Sequence, residues 1–129
     1  MRLPSQSESV SRPIINVQLV QLPEAPLACL VDSGAIQNRF PKDFADAAGI
    51  ALDEPDDTCP PFWAAGTMHT GVIIRVQLRV ALFEWEAPVC FVDDWPYDFG
   101  LLGDEGFFRW FHVCFHAADE QITLELAER

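Results

Sequence analysis

The sequence predicts an all-β domain that closes into a barrel with pseudo-twofold symmetry and carries one or two short helices. Its apolar residues fall mostly in short runs bounded by Pro, Gly, Ser or Asp, which is typical of strands. One order of elements also occurs twice, because each half of the chain has two strands, a glycine-containing segment and a short helix. An approximate internal repeat of this kind indicates two halves built on one plan.

The first half begins with a hairpin that ends at an acidic residue. Ile14–Val20 alternates apolar and polar side chains, as a half-buried strand does, and Leu27–Val31 has the pattern of a second strand. Pro23 and Pro26 mark the turn between them. The hairpin therefore delivers Asp32 to the loop at its end.

A short helix and a projecting hairpin follow. Phe40-Pro41 opens the helix, with Pro at a tolerated first-turn position, and Gly49 is its predicted end. The acidic, Pro-containing segment Asp53–Pro61 is predicted to be a loop. Phe62–Leu78 then has the pattern of two strands around Gly66–Gly71, which indicates a hairpin.

The second half repeats the plan and ends with two further strands. Its helix is predicted to be capped by Asp104, and the aromatic residues of that helix are expected in the core or in a dimer contact. The strand after the helix is expected to turn Val113 and Phe115 into the core. The predicted elements are the strands Val72–Phe83 and Ala87–Val92 joined near Glu84–Glu86, the loop Asp93–Asp98, the strand Leu101–Leu102, the helix Asp104–Phe111, and the strands Val113–Phe115 and Ile122–Leu126.

Length and composition are those of one domain. The chain has 129 residues, half of them apolar, and residues 1–12 are predicted to be a flexible polar tail ahead of a single domain over residues 13–129. Eight basic and twenty acidic residues give a net charge of −12, which argues against nucleic acid or an anionic membrane as a partner. No signal segment or membrane-spanning run is evident, so a cytoplasmic protein is expected.

The cysteines are predicted to be reduced thiols, with two disulfides as the alternative. They are widely spaced and include no CxxC pair that would suggest a zinc or redox site. The four are Cys29, Cys59, Cys90 and Cys114.

One group of residues has the ligand types of a zinc site. His112, Cys114 and His116 alternate on one face of a predicted strand and could bind zinc together with His69, since imidazole and thiolate are suitable ligands. An ordinary strand face is the preferred interpretation. The sequence therefore predicts neither a metal nor another cofactor.

The most informative stretch places Asp32, Ser33 and Gly34 directly after an apolar strand. A carboxylate at the end of a buried run is costly to ionise unless hydrogen bonds or function compensate, and the small residues behind it let the backbone fold back tightly. The triplet Asp-Ser-Gly is also common in surface turns, because Asp and Ser bond to their own backbone. By itself the triplet leaves both interpretations open.

Together with the repeat, this triplet resembles the active loop of the retropepsin-like aspartic proteases, the single-lobe family of retroviral proteases and their cellular and bacterial relatives. The residues that carry the resemblance are Leu30–Ala35, the glycine-containing hairpin Ala64–Thr67, and Leu101–Gly103 followed by the helix Asp104–Phe111 and the strand Val113–Phe115. The resemblance covers residues 14–126 and implies the closed acid-protease barrel and aspartic-type endopeptidase activity.

The same resemblance implies that Asp32 is catalytic and that the enzyme is a homodimer. Hydrolysis by this route uses two carboxylates about 3 Å apart that share one proton. This chain has one Asp-Ser-Gly triplet and no Asp-Thr-Gly, so each chain of a dimer would supply one Asp32. The implied substrate is an extended peptide or protein, and a monomer is expected to be inactive.

Further roles follow from the resemblance. Ser33 would brace the two loops across the dimer, and a side chain at position 103 would clash with the active loop. Trp63 is the aromatic residue considered for substrate contact. The supporting loop comprises Ser33, Gly34 and Ala35, the tip of a flap over the substrate comprises Ala65, Gly66 and Thr67, and the strand behind the active loop comprises Leu101, Leu102 and Gly103.

Two positions depart from the family pattern. Many members carry an acidic or polar residue after the active loop and a basic residue after the second glycine, where this chain has Ile36 and Asp104. Arg39 could pair with Asp104 instead, although a solvated Arg39 and a helix-capping Asp104 are the preferred interpretation. A non-catalytic dimerisation or peptide-binding module with this fold is accordingly the alternative function.

Overall fold

Strands dominate the computed structural model, which describes residues 13–127 and the backbone of residues 2–4. The strands are β1 (Arg2–Pro4), β2 (Ile14–Leu19), β3 (Leu27–Val31), β4 (Asn38–Pro41), β5 (Asp57–Ala64), β6 (Thr67–Val80), β7 (Phe83–Val92), β8 (Gly100–Leu102), β9 (Phe111–His116) and β10 (Gln121–Leu126). The helical segments are α1 (Lys42–Ala47), a π-helical turn (Asp104–Phe108) and a 3-10 turn (Ala117–Asp119). No helix in these residues is long and apolar enough to cross a membrane.

Six of the strands close into a barrel. Their order is β2-β3-β8-β4-β7-β6, and β6 returns to pair with β2, while β5 extends the sheet outward from β6. The pairs β3–β8 and β4–β7 are parallel, and the other barrel pairs are antiparallel. Exchanging β2 with β6, β3 with β7 and β4 with β8 preserves all the barrel pairings: β2–β3 and β6–β7 change places, as do β3–β8 and β4–β7, and β4–β8 and β2–β6 map onto themselves. The predicted all-β, pseudo-twofold closed barrel is therefore confirmed.

A separate three-stranded antiparallel sheet has the order β1-β10-β9. β1 comes from the segment predicted to be a flexible tail, yet its backbone pairs with β10, with Leu3 opposite Ile122. Pairing of this kind satisfies backbone groups that the edge of β10 would otherwise leave open. The rest of that predicted tail, residue 1 and residues 5–12, lies outside the described residues.

Aromatic side chains fill the core of the barrel. Burial of each phenylalanine contributes roughly 2 kcal/mol. The fully buried ones are Phe40, Phe91, Phe107 and Phe111. Trp85 packs edge-on against Phe111, with ring centroids 4.9 Å apart, and its indole N–H donates to the carbonyl oxygen of Gly106 at 2.8 Å. Phe108 and Trp110 are half-buried at the margin of this core.

A second, smaller apolar cluster lies beneath the β5–β6 hairpin and is called the hairpin cluster below. Its buried members are Cys59, Cys90 and Val92, and the half-buried side chains that pack on them are Phe62, Ile73 and Trp95. Because these residues come from β5, β6, β7 and the loop after β7, the cluster ties the hairpin to the barrel.

In the barrel sheet, β4 and the start of β5 were not predicted as strands. Phe40 and Pro41 end β4 instead of opening the helix, and Pro41 takes the N-cap position of α1. The segment Asp57–Pro61, predicted to be a loop, begins β5. Prolines are tolerated there because β5 is an edge strand, and its register with β6 shifts between Cys59 and Phe62.

The β6–β7 hairpin turns earlier than predicted. Its turn is Ala81-Leu82, whereas Glu84 and Glu86 are exposed strand residues on either side of the buried Trp85. This alternation is the pattern of a half-buried strand. Ala81 has a positive φ of 52° without being the Gly or Asn that would mark such a turn in the sequence.

The helix predicted after Gly103 is a single π-helical turn, because Phe111 already begins β9. Its N–H groups bond to carbonyl oxygens five residues back, from Phe108 to Gly103 and from Arg109 to Asp104, both at 3.1 Å. No side chain caps the turn, so the predicted capping role of Asp104 is wrong.

The face of β9 that was predicted to enter the core does so only in part. Val113 is half-buried and packs against the core, whereas Phe115 is 48% exposed. Phe115 is exposed although its cross-strand partner, Ile122, is buried in the core, so strand alternation alone did not predict its exposure.

Candidate active site

Asp32 lies in a tight loop directly after β3. Its N–H donates to the carbonyl oxygen of Leu102 in β8 at 2.9 Å, and its own carbonyl oxygen accepts from the N–H of Ala35 at 3.1 Å. Its side-chain Oδ1 accepts from the N–H of Gly34 at 2.9 Å. Among the described residues no donor reaches the other carboxylate oxygen. The loop thus fixes the carboxylate and leaves one oxygen available.

The same loop is supported from inside and open on the outside. Asp32 is half-buried, Ser33 and Gly34 are exposed, and Ala35 is buried. A Cβ atom at position 34 would lie 3.2 Å from Oδ1 of Asp32, which is a tight contact. Glycine at this position therefore lets the carboxylate fold back onto its own backbone.

β8 runs directly behind the loop, and its end is tightly enclosed. Leu101–Leu102 is buried, and the N–H of Gly103 donates to Oδ1 of the buried Asn38 at 2.9 Å. A Cβ atom at position 103 would lie 2.5 Å from the carbonyl oxygen of Gln37 and 2.7 Å from that of Ala35. The two backbone segments approach so closely that no side chain fits between them.

The two departures from the family pattern form no compensating pair with Arg39. The N–H of Asp104 donates to the carbonyl oxygen of Ala35 at 2.9 Å, and its carboxylate lies 4.0 Å from Nε of Arg109 in the following turn. Ile36 is 62% exposed. The Arg39–Asp104 pair that the sequence left open is therefore not formed.

The hairpin of β5 and β6 carries the predicted flap tip in its turn. Ala64 and Thr67 form the last pair of the ladder, and Ala65 and Gly66 connect them with φ values of 50° and 76°. Positive φ at both positions is what a two-residue type I′ turn requires. Ala65, Gly66 and Thr67 are all exposed, and no hydrogen bond described for this part of the chain joins them to Asp32.

The two faces of this hairpin differ in character. Phe62 and His69 are cross-strand partners whose rings stack with centroids 5.8 Å apart, and the His69 ring Nε2 lies 3.0 Å from the carbonyl oxygen of Ala64. Trp63 and Met68 form the neighbouring pair and are 69% and 48% exposed. Because adjacent residues of a strand point to opposite faces, Phe62 faces the barrel and Trp63 faces outward.

Arg39 of β4 lies under the inner face of the hairpin. Its Cζ is 3.9 Å from the centroid of the Phe62 ring, and its backbone is in register with Cys90 on one side and Leu101 on the other. Burial raises the pKa of the Cys90 thiol, the hydrogen bond and charge interaction with Cys59 raise it further, and the positive charge of Arg39 opposes the shift. The guanidinium therefore lies against the hairpin cluster.

Sequence reasoning missed both Arg39 and Phe62 as residues of this site. Phe62 could have been found from the alternation of side chains along β5, because this alternation puts Phe62 on the face of the strand opposite to Trp63. For Arg39 no local signal existed, since its place depends on pairing with β7 and β8, which are distant in sequence.

The residues weighed as zinc ligands are not brought together. His112 and Cys114 are exposed on β9, the ring Nε2 of His116 lies 2.8 Å from Oγ1 of Thr123, and His69 belongs to the β5–β6 hairpin. Within the described residues no group of three or more His, Cys, Asp and Glu side chains could hold a metal ion. The four cysteines are free thiols.

Comparison with known proteins gives matches in structure. No family model matches the sequence, and no curated protein matches it significantly. Among solved structures, a retropepsin-like aspartic protease from Rickettsia conorii is 17% identical, with 95% of both chains covered and a TM-score of 0.65. The retroviral protease-like domain of Ddi1 from Leishmania major is 12% identical, with 91% of this chain and 90% of that chain covered and a TM-score of 0.65.

A viral enzyme is also similar. The EIAV protease, solved in complex with the inhibitor HBY-793, is 17% identical over 76% of this chain and 86% of its own, with a TM-score of 0.50. Resemblance at such low identity concerns the architecture. The closed pseudo-twofold barrel and these matches together identify the fold of this chain as that of the retropepsin-like aspartic proteases.

Proposed function

We propose that the chain is an aspartic endopeptidase that acts as a homodimer and hydrolyses a peptide bond in an extended substrate. The observation that carries this proposal is the Asp32 loop: in a retropepsin-like barrel, a backbone hydrogen bond to Leu102 fixes the loop while Ser33 and Gly34 stay exposed. An exposed loop of this kind is available to the same loop of a second chain.

The chemistry requires both carboxylates. With two Asp32 side chains about 3 Å apart, mutual repulsion keeps one proton on the pair. The charged carboxylate takes a proton from water, which attacks the peptide carbonyl carbon, while the protonated carboxyl donates to the carbonyl oxygen. Breakdown of the tetrahedral intermediate returns a proton to the departing amine. No metal or other cofactor takes part in this scheme.

The neighbouring elements have supporting roles in the proposal. Ser33 bonds across the dimer, and Ala65, Gly66 and Thr67 form the tip of a flap that adds backbone hydrogen bonds to the substrate in the manner of an added strand. The net charge of −12 disfavours nucleic acid and anionic membranes as partners. Free thiols suit a reducing compartment, which is consistent with the cytoplasmic location that we propose.

The test compares two aspartates in corresponding places. Asp32 follows β3, and Asp93 follows β7, which takes the place of β3 under the pseudo-twofold exchange. Asp32→Asn should lower kcat/KM on a peptide library by roughly a thousandfold or more, because one member of a catalytic unit is lost from both chains. Asp93→Asn removes an exposed carboxylate 3.6 Å from Lys42 and should change the rate less than about threefold.

A statine-type inhibitor, which mimics the tetrahedral intermediate, provides a second readout. Wild type should bind it as a dimer and more tightly than an unmodified peptide, and Asp32→Asn should lose this extra affinity. Equal cleavage by wild type and Asp32→Asn would contradict the proposal, since it would trace the activity to a contaminant or another site.

A non-catalytic dimerisation or peptide-binding module is the alternative, and one observation favours it. Asp104 pairs with Arg109 of its own turn, and Ile36 is exposed, so the pair that braces many family members is absent. Absence of cleavage by wild type at every pH, together with peptide binding, would support the module and exclude the enzyme.

A further inference from the structure

Arg39 is a half-buried cation without a carboxylate partner among the described residues. Its Nε atom is buried and has no hydrogen-bond acceptor. The other described basic side chains differ, because each lies within salt-bridge distance of an acid. These pairs are Lys42–Asp93 at 3.6 Å, Arg75–Glu86 at 3.0 Å, Arg79–Glu84 at 3.8 Å and Arg109–Asp104 at 4.0 Å.

The surroundings of Arg39 make it energetically costly for its Nε to lack a hydrogen-bond acceptor. One face of its guanidinium is covered by the Phe62 ring at 3.9 Å, and Cys90, its partner in β7, belongs to the apolar hairpin cluster. A cation–π contact satisfies the face of the guanidinium but none of its N–H donors, which lie in the plane of the group. A buried donor without an acceptor costs stability, so a ligand that supplies one would recover it.

The backbone places Arg39 on the same side of the barrel wall as Asp32. Arg39 is opposite Leu101, and Leu101 is in register with Leu30, so these side chains share one face of the sheet. The opposite face carries Phe40 and Leu102, which are fully buried in the barrel core. Asp32 follows Leu30 by two residues and leaves β3 on the Arg39 side.

The distance across the sheet between Arg39 and Asp32 indicates which residue of a bound substrate would lie over Arg39. Two strand spacings separate β4 from β3, which amounts to about 10 Å. An extended peptide advances about 3.3 Å per residue, so a side chain over Arg39 belongs to a residue roughly three positions or fewer from the bond over Asp32. The flap hairpin, through Phe62, covers the same place from above.

We propose that Arg39 selects substrates with a carboxylate side chain, Asp or Glu, close to the cleaved bond. This inference rests on the proposed function. The carboxylate would accept hydrogen bonds from the free guanidinium edge beside Phe62, in the geometry that makes Arg–carboxylate pairs strong. Because the chain as a whole carries a net charge of −12, its overall field opposes acidic peptides, and a preference for them must come from a local site.

The test uses matched peptides that carry Asp, Asn or Lys at each position around one cleavage site. At about pH 6, where Asp is ionised, wild type should cleave the best Asp peptide at least about tenfold faster in kcat/KM than its Asn counterpart, as expected for a charged hydrogen bond. Arg39→Gln should abolish this ratio, Arg39→Lys should keep part of it, and Arg39→Glu should reverse it toward Lys.

A matched control separates local from general electrostatics. Arg75 is exposed and pairs with Glu86 on the strand surface, so Arg75→Gln makes the same change of charge elsewhere. It should leave the Asp-to-Asn ratio unchanged. A role of Arg39 in holding Phe62 and the hairpin alone would lower all rates together and leave the ratio as it is, which would overturn the proposal.

Binding measurements distinguish failure of this inference from failure of the proposed function. Fluorescently labelled Asp and Asn peptides are titrated into Asp32→Asn and into Asp32→Asn/Arg39→Gln, neither of which needs to cleave. Tighter binding of the Asp peptide that disappears in the second variant supports the role of Arg39 even without catalysis. Equal affinities of both peptides for Asp32→Asn would refute it, even if wild type proves to be a protease.

Discussion

At the scale of single residues, the candidate active loop depends on glycines as well as on its carboxylate. Gly34 lets Asp32 accept a hydrogen bond from its own loop at 2.9 Å. Gly103 lets the backbone after β8 pass close to the carbonyl oxygens of Ala35 and Gln37, where a side chain would not fit. Gly103 has a φ of −117°, which any residue adopts, so its requirement is one of space. The two glycines therefore serve the loop through close backbone contact.

Gly103→Ala should destabilise the protein by about 2 to 3 kcal/mol, because the added Cβ overlaps two backbone oxygens that cannot move without shifting the active loop. Urea unfolding measures the change. Gly49→Ala is the matched control: its Cβ would meet nothing within 4 Å, and only its φ of 72° adds strain of about 1 kcal/mol. Equal losses for the two variants would contradict the close contact behind the loop.

At the scale of elements, the strands with a clear alternation were predictable, and those shaped by their partners were not. β2 and β3 follow their apolar pattern, and the loop that carries Asp32 begins where β3 ends. β5 contains Pro60 and Pro61, which locally favour a loop, and it becomes a strand because β6 offers an edge. The local sequence of β5 does not predict that it is a strand, because its strand conformation depends on pairing with β6.

The same limit applies to the site. Asp32 and Gly103 were predictable because a family resemblance marks them, whereas Arg39 was expected in solvent and instead lies beneath Phe62. Its environment is made by β4, β5, β7 and β8 together, and none of these contacts is local in the sequence. The sequence shows the chemistry of each side chain, but which other residues that side chain contacts can be known only from the folded structure.

The flap hairpin provides the prediction that belongs to this scale. Ala65 has a φ of 50° in a turn where Asn is favoured, so Ala65→Asn should stabilise the hairpin by roughly 0.5 to 1 kcal/mol. Hydrogen exchange measures this as slower exchange of the β5–β6 amides. Amides of the β9–β10 pair, in the separate sheet, are the internal control and should not change. Faster exchange at β5–β6 would show that the turn does not have this conformation.

At the scale of the whole molecule, the barrel has two halves related by pseudo-twofold symmetry, but one chain supplies only one of the two carboxylates that the proposed mechanism needs. The pseudo-twofold exchange relates Asp32 after β3 to Asp93 after β7, yet Asp93 has a salt bridge to Lys42 and is not followed by the Ser-Gly that closes the first loop. The internal symmetry therefore supplies the frame of an active site without its second carboxylate. A symmetric dimer is the simplest way to provide it.

Charge opposes that dimer, and this makes its pH dependence a test. Each chain carries −12 at neutral pH, so two chains repel each other, and the two Asp32 carboxylates add a close repulsion at the axis. Lowering the pH toward the pI of about 4.3 makes the net charge of each chain less negative, which reduces the repulsion. The dimer should therefore be tighter, by roughly tenfold, at about pH 5 than at about pH 8.

Sedimentation equilibrium at the two pH values measures this, and added salt should narrow the difference because it screens the general repulsion. Asp32→Asn removes the close repulsion at the axis in addition to one negative charge per chain, so it should tighten the dimer more at the higher pH than at the lower one. Asp93→Asn, with the same change in net charge at an exposed position, should show a much smaller effect. An identical dimer constant at both pH values, with cleavage fastest at the alkaline end, would rule out a catalytic pair of Asp32 residues that shares one proton, because such a pair must be protonated once to assemble and to act.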